Sequence, residues 1–209
     1  SFEDEQLVFE NNRNSFYSIL RYSQSKCAKL IYSGSSTKFG DGGANRFASP
    51  YAISKYQNTE LLVAFAEWHD LDYAIAYFYN VYGVGENDSM NYGTVVAKFL
   101  KMVNDGAQEL PVTSPGTQKR NFTNIADTVD ALVLISEEGY GDDYGIANPK
   151  SYSILELVDL FGCRPVMLPS KKGNRMSAQI ISEKTIKLGW APNISLSQFI
   201  SDSTIKIND

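Results

Sequence analysis

The feature that most constrains the fold is a pair of short apolar runs with a long helical stretch between them. Residues 29–32 and Tyr73–Phe78 have strand length, and Pro50–His69 between them carries apolar side chains at helical spacing. Buried strands that alternate with helices are typical of a parallel sheet covered on both faces. The sequence therefore predicts an α/β fold. Ligands of such sheets collect at the carboxyl ends of the strands, here residues 33–37 and 80–85.

Local signals place the other elements. Ser49 and Pro50 form a good helix opening, an N-cap hydroxyl followed by proline in the first turn. A helix over 10–25 is predicted to be entered through Asn11 and Asn12, and another over 128–137 to be opened by Asp127. The remaining expectations are helices at 95–103, 154–161, 182–188 and 196–205, and extended segments at 144–147 and 166–168.

Composition excludes several classes of protein. No apolar run approaches the roughly 20 residues that span a bilayer, and a net charge of −5 does not favour nucleic-acid binding. Cys27 and Cys163 have no partners at metal-ligand spacing, and His69, the single histidine, rules out a multi-histidine metal site. We expect a soluble cytoplasmic protein with free thiols and no metal, membrane segment or nucleic-acid partner.

One group of residues, Ser35, Tyr51 and Lys55, has the composition of a candidate catalytic site. Tyr51 and Lys55 lie one helical turn apart, so their side chains share a helix face. A phenol has an ordinary pKa near ~10, and a neighbouring ammonium lowers it by favouring the phenolate. Such a tyrosine can remove a proton from a substrate hydroxyl while hydride leaves the same carbon. Ser35, at the end of the preceding strand, could orient that hydroxyl.

The spacing alone is weak evidence, because Tyr22 and Lys26 repeat it. Only Tyr51 follows a serine-bearing strand end and opens a helix. The alternative for either Tyr–Lys pair is that it is exposed on the helix surface and has only a structural role.

Five segments occur in one order along the chain: LIYSGSSTKFG at 30–40, SPYAISK at 49–55, YNVYG at 79–83, GTQKRNF at 116–122 and KTIKLGW at 184–190. On these segments the chain resembles the extended short-chain dehydrogenase/reductase family, particularly UDP-galactose 4-epimerase-like enzymes of the NAD-dependent epimerase/dehydratase group. The resemblance implies a partial Rossmann-like, doubly wound parallel sheet with a small C-terminal α+β substrate lobe. Residues 1–83 and 120–150 would be the remainder of the NAD(P)-binding domain, and 84–119 and 151–209 the small lobe.

The resemblance also implies roles for individual residues. Tyr51 would be the general acid/base, Lys55 would tune it and hold the nicotinamide ribose, and Ser35 would bind the reacting oxygen. Asn12 would support the catalytic helix and a proton relay through water. The implied cofactor contacts are Tyr51, Lys55, Ser33 and Tyr79, and the implied contacts to a nucleotide-sugar substrate are Ser36, Thr37, Asn80, Arg120 and Lys171.

Departures from the family pattern narrow the activity. Ser36 and Thr37 stand where dehydratases carry Asp-Glu, which favours an epimerase or a keto-reductase over a 4,6-dehydratase. Tyr77 replaces a common arginine, and Lys171 and Asn174 replace a common Arg and Asp. The identity of the substrate is therefore not determined by these residues.

The family's opening strand and Gly-x-x-Gly-x-x-Gly turn do not precede Ser35. We expect an N-terminally truncated form of a normal enzyme, or a chain whose missing strands a partner supplies. Binding of NAD or NADP by this chain alone should be weak, and the first strand should expose an apolar edge.

Three functions follow from these observations. The first is an NAD(P)-dependent sugar-nucleotide epimerase, and the second is a reductase or dehydratase on the same scaffold. The third is a non-catalytic sugar-nucleotide-binding module, which the missing glycine turn favours and the intact Ser35, Tyr51 and Lys55 set opposes. The resemblance further implies a homodimer through helices 10–25 and 50–69, with four candidate contacts: Phe16, Leu61, Phe65 and Trp68.

Overall fold

The chain folds as two compact units. The computed structural model describes residues 2–89, 93–170, 175–177 and 179–204. The first unit comprises Ser1–Phe78, Asp130–Ile146 and Ala178–Trp190, and the second comprises Tyr79–Val129, Ala147–Ser177 and Ala191–Asp209. Residues 179–190 thus pack with the first unit, although the sequence-based division gave them to the small lobe. The assignment of cofactor and substrate to separate lobes stays a prediction.

Helices and strands alternate along most of the chain. The helices are α1 (Glu5–Phe9), α2 (Ser15–Ser25), α3 (Pro50–His69), α4 (Val95–Asn104), α5 (Ile125–Glu138), α6 (Ile154–Leu160), α7 (Glu183–Lys187) and α8 (Leu196–Ser203). The strands are β1 (Leu30–Ser35), β2 (Tyr73–Phe78), β3 (Val81–Tyr82), β4 (Glu109–Thr113), β5 (Lys119–Asn121), β6 (Thr123–Asn124), β7 (Gly141–Ile146), β8 (Ser151–Ser153) and β9 (Arg164–Leu168). None of the helices in these described residues combines the length and apolarity that a membrane crossing requires.

A parallel sheet forms the centre of the first unit. Its order is β1-β2-β7, and β1 pairs with β2 from Leu30 opposite Tyr73 to Ser35 opposite Phe78. Ala74 and Ala76 pack against α5 on one face. On the other face, a Cβ at Gly34 would lie 2.7 Å from the Tyr77 ring, so only glycine fits there. The α/β class predicted from the strand–helix–strand order is confirmed, as is the Rossmann-like sheet that the resemblance implied.

The helix that carries Tyr51 has the predicted bounds. The Ser49 hydroxyl accepts a hydrogen bond from the Ala52 N–H at 3.1 Å, and Pro50 follows in the first turn. The helix ends at His69, because the following residue, Asp70, has a left-handed φ of 50° that stops further helical hydrogen bonding. Local capping signals therefore fix both ends of α3.

The first helical region differs from its prediction. It begins at Glu5 rather than near residue 10, because the Asp4 carboxylate accepts from the Leu7 N–H at 3.0 Å. Glu10–Asn14 forms a π-helical turn that joins α1 to α2. Asn11 and Asn12 consequently lie inside the helical region and do not open it.

Small pairs of strands and three helices build the second unit. β4 pairs with β9 and β3 with β6 in parallel, and β5 pairs with β8 in antiparallel fashion. The apolar core of this unit includes Leu110, Val112 and Leu157. The sequence suggested that Asp127 opens this helix, but Asp127 lies buried inside α5. Its carboxylate accepts the backbone N–H groups of Asn193 at 3.0 Å and Ile194 at 3.1 Å.

Two of the expected subunit contacts are buried within the chain itself. Phe16 packs its ring 4.7 Å from that of Tyr32, and Phe65 is also buried. Neither side chain is available to a second subunit, so these two contacts are corrected. Trp68 is exposed on α3, and α2 exposes Tyr17.

Candidate functional site

Ser35 stands at the junction between β1 and a 3₁₀ turn formed by Ser36–Phe39. Its hydroxyl oxygen accepts from the Thr37 N–H at 3.3 Å and from the Thr37 hydroxyl at 3.0 Å. A serine oxygen has two lone pairs and one proton. Because Thr37 occupies both lone pairs, the Ser35 proton is oriented away from Thr37 and can be donated to a ligand oxygen.

Tyr51 and Lys55 occupy the first two turns of α3. The Tyr51 side chain is 44% exposed, whereas Lys55 is half-buried. Burial lowers the pKa of the Lys55 ammonium. That ammonium lies 4.5 Å from the ring centroid of Tyr32 on β1. The described residues include no hydrogen bond between Ser35 and Tyr51, so their joint role stays a prediction.

Asn12 reaches α3 from the π-helical turn. Its side-chain amide donates to the Ser54 hydroxyl at 2.9 Å, and Ser54 donates to the Tyr51 carbonyl oxygen at 2.9 Å. The Asn12 carbonyl oxygen accepts from the buried Asn58 amide at 2.6 Å. Asn12 therefore contacts the segment of α3 that contains Tyr51 and Lys55, and its predicted role in catalysis stays a prediction.

A partly buried polar cluster beside the 3₁₀ turn was missed by the sequence analysis. Lys38 donates to the Tyr77 hydroxyl at 2.7 Å and forms an ion pair with Asp142 at 2.8 Å, and Tyr77 donates to the same carboxylate at 2.7 Å. Burial, followed by the nearby Asp142 charge, raises the pKa of Tyr77 far above its usual range. The only signal in the sequence was tyrosine at a position where related chains carry arginine.

Two of the residues predicted to hold a diphosphate, Asn80 and Arg120, lie in the second unit. Asn80 has a left-handed φ of 39°, and its amide donates to the Asn121 carbonyl oxygen at 2.8 Å. The Arg120 guanidinium donates to the carbonyl oxygens of Lys119 at 2.8 Å and Arg175 at 2.7 Å. These bonds fix both side chains in place. Lys171 and Asn174 lie outside the described residues.

The remaining predicted contacts differ in exposure. Ser33 is exposed on β1, and Thr37 is half-buried at the start of the turn. Ser36 is almost completely buried and Tyr79 has no exposed surface. A side chain without exposed surface cannot contact a ligand from its present position. The complete burial of Tyr79 therefore does not support the cofactor contact predicted for it.

The described residues of the second unit also line a cavity of about 410 Å³, between the 83–88 loop, α4 and α8. None of the predicted site residues that the structure describes lines it. The exposed ion pairs of Lys101 with Asp88 and Asp105 lie at this cavity. Its described lining residues include no tyrosine with a lysine one helical turn away.

The chain belongs to the NAD dependent epimerase/dehydratase family, whose sequence model matches residues 1–147. This assignment confirms the resemblance drawn from the five segments. It also makes the class enzymatic, with NAD-dependent members that act on sugar nucleotides.

Individual relatives are distant and longer. UDP-glucuronic acid decarboxylase 3 of Arabidopsis thaliana is 26% identical over 191 residues, covering 81% of this chain and 54% of the relative. A putative UDP-glucose 4-epimerase of Methanocaldococcus jannaschii is 26% identical over 158 residues, covering 73% and 51%. The chain thus spans about half the length of the curated relatives it matches.

Solved structures agree in fold. Pal from Bacillus thuringiensis superposes with a TM-score of 0.89 at 20% identity, covering 97% of this chain and 70% of that one. The UDP-glucose 4-epimerase of Thermotoga maritima, solved with UDP-glucose, superposes with a TM-score of 0.83 at 24% identity, covering 92% and 67%. At these identities the likeness establishes the fold and leaves the reaction open.

Proposed function

We propose that the protein is an NAD(P)-dependent sugar-nucleotide epimerase in which Tyr51 is the general acid/base. The observation that carries this proposal is the pair Tyr51 and Lys55 on one face of α3. Tyr51 is exposed, and the ammonium of Lys55 has no carboxylate within ion-pair distance in the described part of the chain. Lys55 lies one helical turn from Tyr51, the spacing at which the two side chains share a helix face.

Two side chains act on the reacting oxygen. Tyr51 removes the proton of a sugar hydroxyl, and Ser35 donates a hydrogen bond to the same oxygen while it retains its own proton. NAD or NADP, when bound, supplies the hydride acceptor and donor. An epimerase then presents the other face of the ketone, and Tyr51 returns the proton to the reduced oxygen.

The chain offers groups that fit a nicotinamide ribose. Lys55 has three N–H donors, and neither a carboxylate nor a carbonyl oxygen accepts from them among the described residues. Ser33 and Tyr51 are exposed hydroxyls of the same unit. We propose that Lys55 and Tyr51 hold the ribose and that Ser33 lies at its edge.

The second unit offers groups that suit the diphosphate of a nucleotide sugar. Arg120 presents a guanidinium fixed by two backbone carbonyls, and such a group can bind phosphate oxygens in pairs. We assign Arg120, Asn80 and Lys171 to the diphosphate. The sugar contacts expected of Ser36 and Thr37, which belong to the first unit, stay a prediction. The UDP-glucose in the Thermotoga maritima epimerase supports this substrate class.

A decarboxylase is the second candidate. The first curated relative acts on UDP-glucuronic acid according to its name. Oxidation of a uronic acid at the hydroxyl β to its carboxylate gives a β-keto acid, which loses CO₂ readily. This activity would need the same Tyr51 step. A dehydratase is disfavoured by Ser36 and Thr37, which supply no carboxyl group for water elimination.

The test is product analysis with a tyrosine variant. The purified protein, alone and joined to a relative's Gly-x-x-Gly-x-x-Gly segment, is incubated with NAD and UDP-sugars. We expect interconversion of 4-epimers without net reduction. Tyr51→Phe should lower kcat by about 10²–10⁴-fold, the contribution of general acid/base catalysis.

Tyr22→Phe is the matched control, because Tyr22 has the same spacing to Lys26 on an exposed helix face. Its rate should equal that of the parent. Pentose formation with CO₂ release from UDP-glucuronic acid would instead assign the decarboxylase. Calorimetry in which UDP-sugars bind, with no turnover by either form of the protein, would assign the non-catalytic module and reject the epimerase.

A further inference from the structure

The ammonium of Lys55 is held by an aromatic ring. Its nitrogen lies 4.5 Å from the ring centroid of Tyr32, within the range in which the negative face of the ring attracts a cation. Tyr32 is only 8% exposed, so little water competes with this contact. In the described part of the chain, no carboxylate pairs with Lys55. The ring is therefore the group that compensates a partly buried charge.

Three neighbours fix the Tyr32 ring. Phe16 packs against it with a centroid separation of 4.7 Å. The Tyr32 hydroxyl donates to the Lys55 carbonyl oxygen at 3.5 Å and also bonds the Asn58 side chain. Asn58 in turn donates to the Asn12 carbonyl oxygen at 2.6 Å. The ring cannot turn away from Lys55 without breaking these contacts.

We propose that Tyr32 is a positioning residue, whose ring holds the Lys55 ammonium on α3 without neutralising it. This inference rests on the function proposed for Lys55. A carboxylate in the place of the ring would hold the ammonium equally well but would cancel its field at Tyr51. A neutral ring leaves the full positive charge to act one helical turn away.

The ionisation of the two groups agrees with this arrangement. Burial lowers the pKa of Lys55, so the ammonium needs a compensating contact to stay charged. Burial raises the pKa of Tyr32 to about 12, although the Asn58 hydrogen bond opposes the rise and the nearby Tyr51 adds slightly to it. Tyr32 therefore stays neutral and does not compete with Tyr51 for the proton-transfer role.

The direct test measures the Lys55 pKa without requiring activity. The purified protein is labelled with acetic anhydride between pH 7 and 12, and modification of Lys55 is followed by mass spectrometry. Tyr32→Phe keeps the ring and should shift the Lys55 pKa only slightly. Tyr32→Leu removes the ring and should lower that pKa by about one unit, the size of a partly desolvated cation–π contact. Phe16→Leu, a control for loosened packing around Tyr32, should leave it unchanged.

A second series keeps the shape of the side chain. Phenylalanines with one, two and three ring fluorines at position 32 weaken the negative ring face at nearly constant volume. The Lys55 pKa should fall stepwise along this series. A flat series, or a shift in Tyr32→Phe as large as in Tyr32→Leu, would overturn the proposal.

Turnover gives an independent measurement that separates positioning from folding. If Lys55 supports Tyr51, the alkaline limb of kcat for Tyr32→Leu should move down by the same unit. A rate lowered equally at every pH would mean a structural role for Tyr32 and would reject the positioning role. Absence of turnover in the parent protein would remove the proposed function, while the labelling series would still decide whether the ring holds Lys55.

Discussion

Tyr32 carries a phenol whose ionisation opposes folding. Burial raises its pKa from 10.0 to about 12, so the folded state keeps the phenol protonated where the unfolded chain loses its proton. Its contribution to stability is complete below pH 10 and is lost as the pH rises from 10 through 12. By pH 12 the loss amounts to about 2 kcal/mol.

Tyr32→Phe should therefore reduce the alkaline loss of stability by about this amount. The free energy of unfolding, measured by urea denaturation between pH 9 and 12, provides the comparison. Tyr22→Phe removes an exposed phenol and should leave the decrease of the unfolding free energy with pH unchanged. If this decrease were equal in Tyr32→Phe and the parent protein, it would contradict the burial of the Tyr32 hydroxyl in the folded protein.

Lys38 connects the turn after β1 to the sheet through Tyr77 and Asp142. Lys38→Met leaves a partly buried carboxylate without its cation and should cost about 1.5–3 kcal/mol of stability, as for hydrogen bonds between charged groups. Lys101→Met removes two exposed ion pairs at 3.7 and 3.8 Å and should cost less than about 1 kcal/mol. Thermal or urea unfolding of both variants makes the comparison. Similar losses would mean that the partly buried cluster contributes no more to stability than a surface ion pair.

At the scale of elements, α3 depends on its first turn. Ser49→Ala removes the acceptor for the Ala52 N–H and should destabilise the protein by about 0.5–2 kcal/mol. Ser18→Ala on the exposed side of α2 is the control, and it should be neutral or slightly stabilising because alanine favours helices. Unfolding midpoints of the two variants test this, and equal midpoints would show that Ser49 does not act as a cap.

The elements that could be predicted from the sequence are those with local signals. α3 and β2 have their expected bounds because Ser49, Pro50 and an unbroken apolar run act within a few residues. The start of the first helical region was missed because two asparagines resemble an entry but occupy a π-helical turn. Asp127 was misread for a similar reason, since its capping partners lie 66 and 67 residues further along the chain.

The candidate site likewise contains features that local sequence predicts and features that depend on residues far apart in the chain. The spacing of Tyr51 and Lys55 and the strand end at Ser35 could be read locally. The contacts of Lys38 with Tyr77 and Asp142 could not, because 39 and 104 residues separate the partners. The ring of Tyr32 under Lys55 also requires β1 and α3 to pack together first.

At the scale of the whole molecule, we propose that the chain forms a homodimer. β1 pairs only with β2 among the described strands, and an unpaired strand edge favours association. α3 and α2 expose Trp68 and Tyr17, which offer a second surface. Light scattering at micromolar concentration should give twice the monomer mass.

Two variants separate these surfaces. If the helices form the contact, Trp68→Glu should yield monomers and Ser33→Lys should remain dimeric. If the strand edge forms it, the result should reverse, because a charged side chain on an edge strand opposes pairing. A monomeric parent protein at this concentration would contradict the dimer altogether.

The π-helical turn at Glu10–Asn14 has a consequence for how this chain tolerates length changes. Such a turn accommodates one residue more than an α-helical turn, and each helical residue advances the side-chain direction by about 100°. Deleting a single amino acid there would restore regular winding, yet would rotate Asn12 relative to α2 and away from Ser54. The additional residue in the π-helical turn therefore sets the rotation of α1 relative to α2. Replacing this helical region by one without the additional residue would change the direction in which Asn12 points.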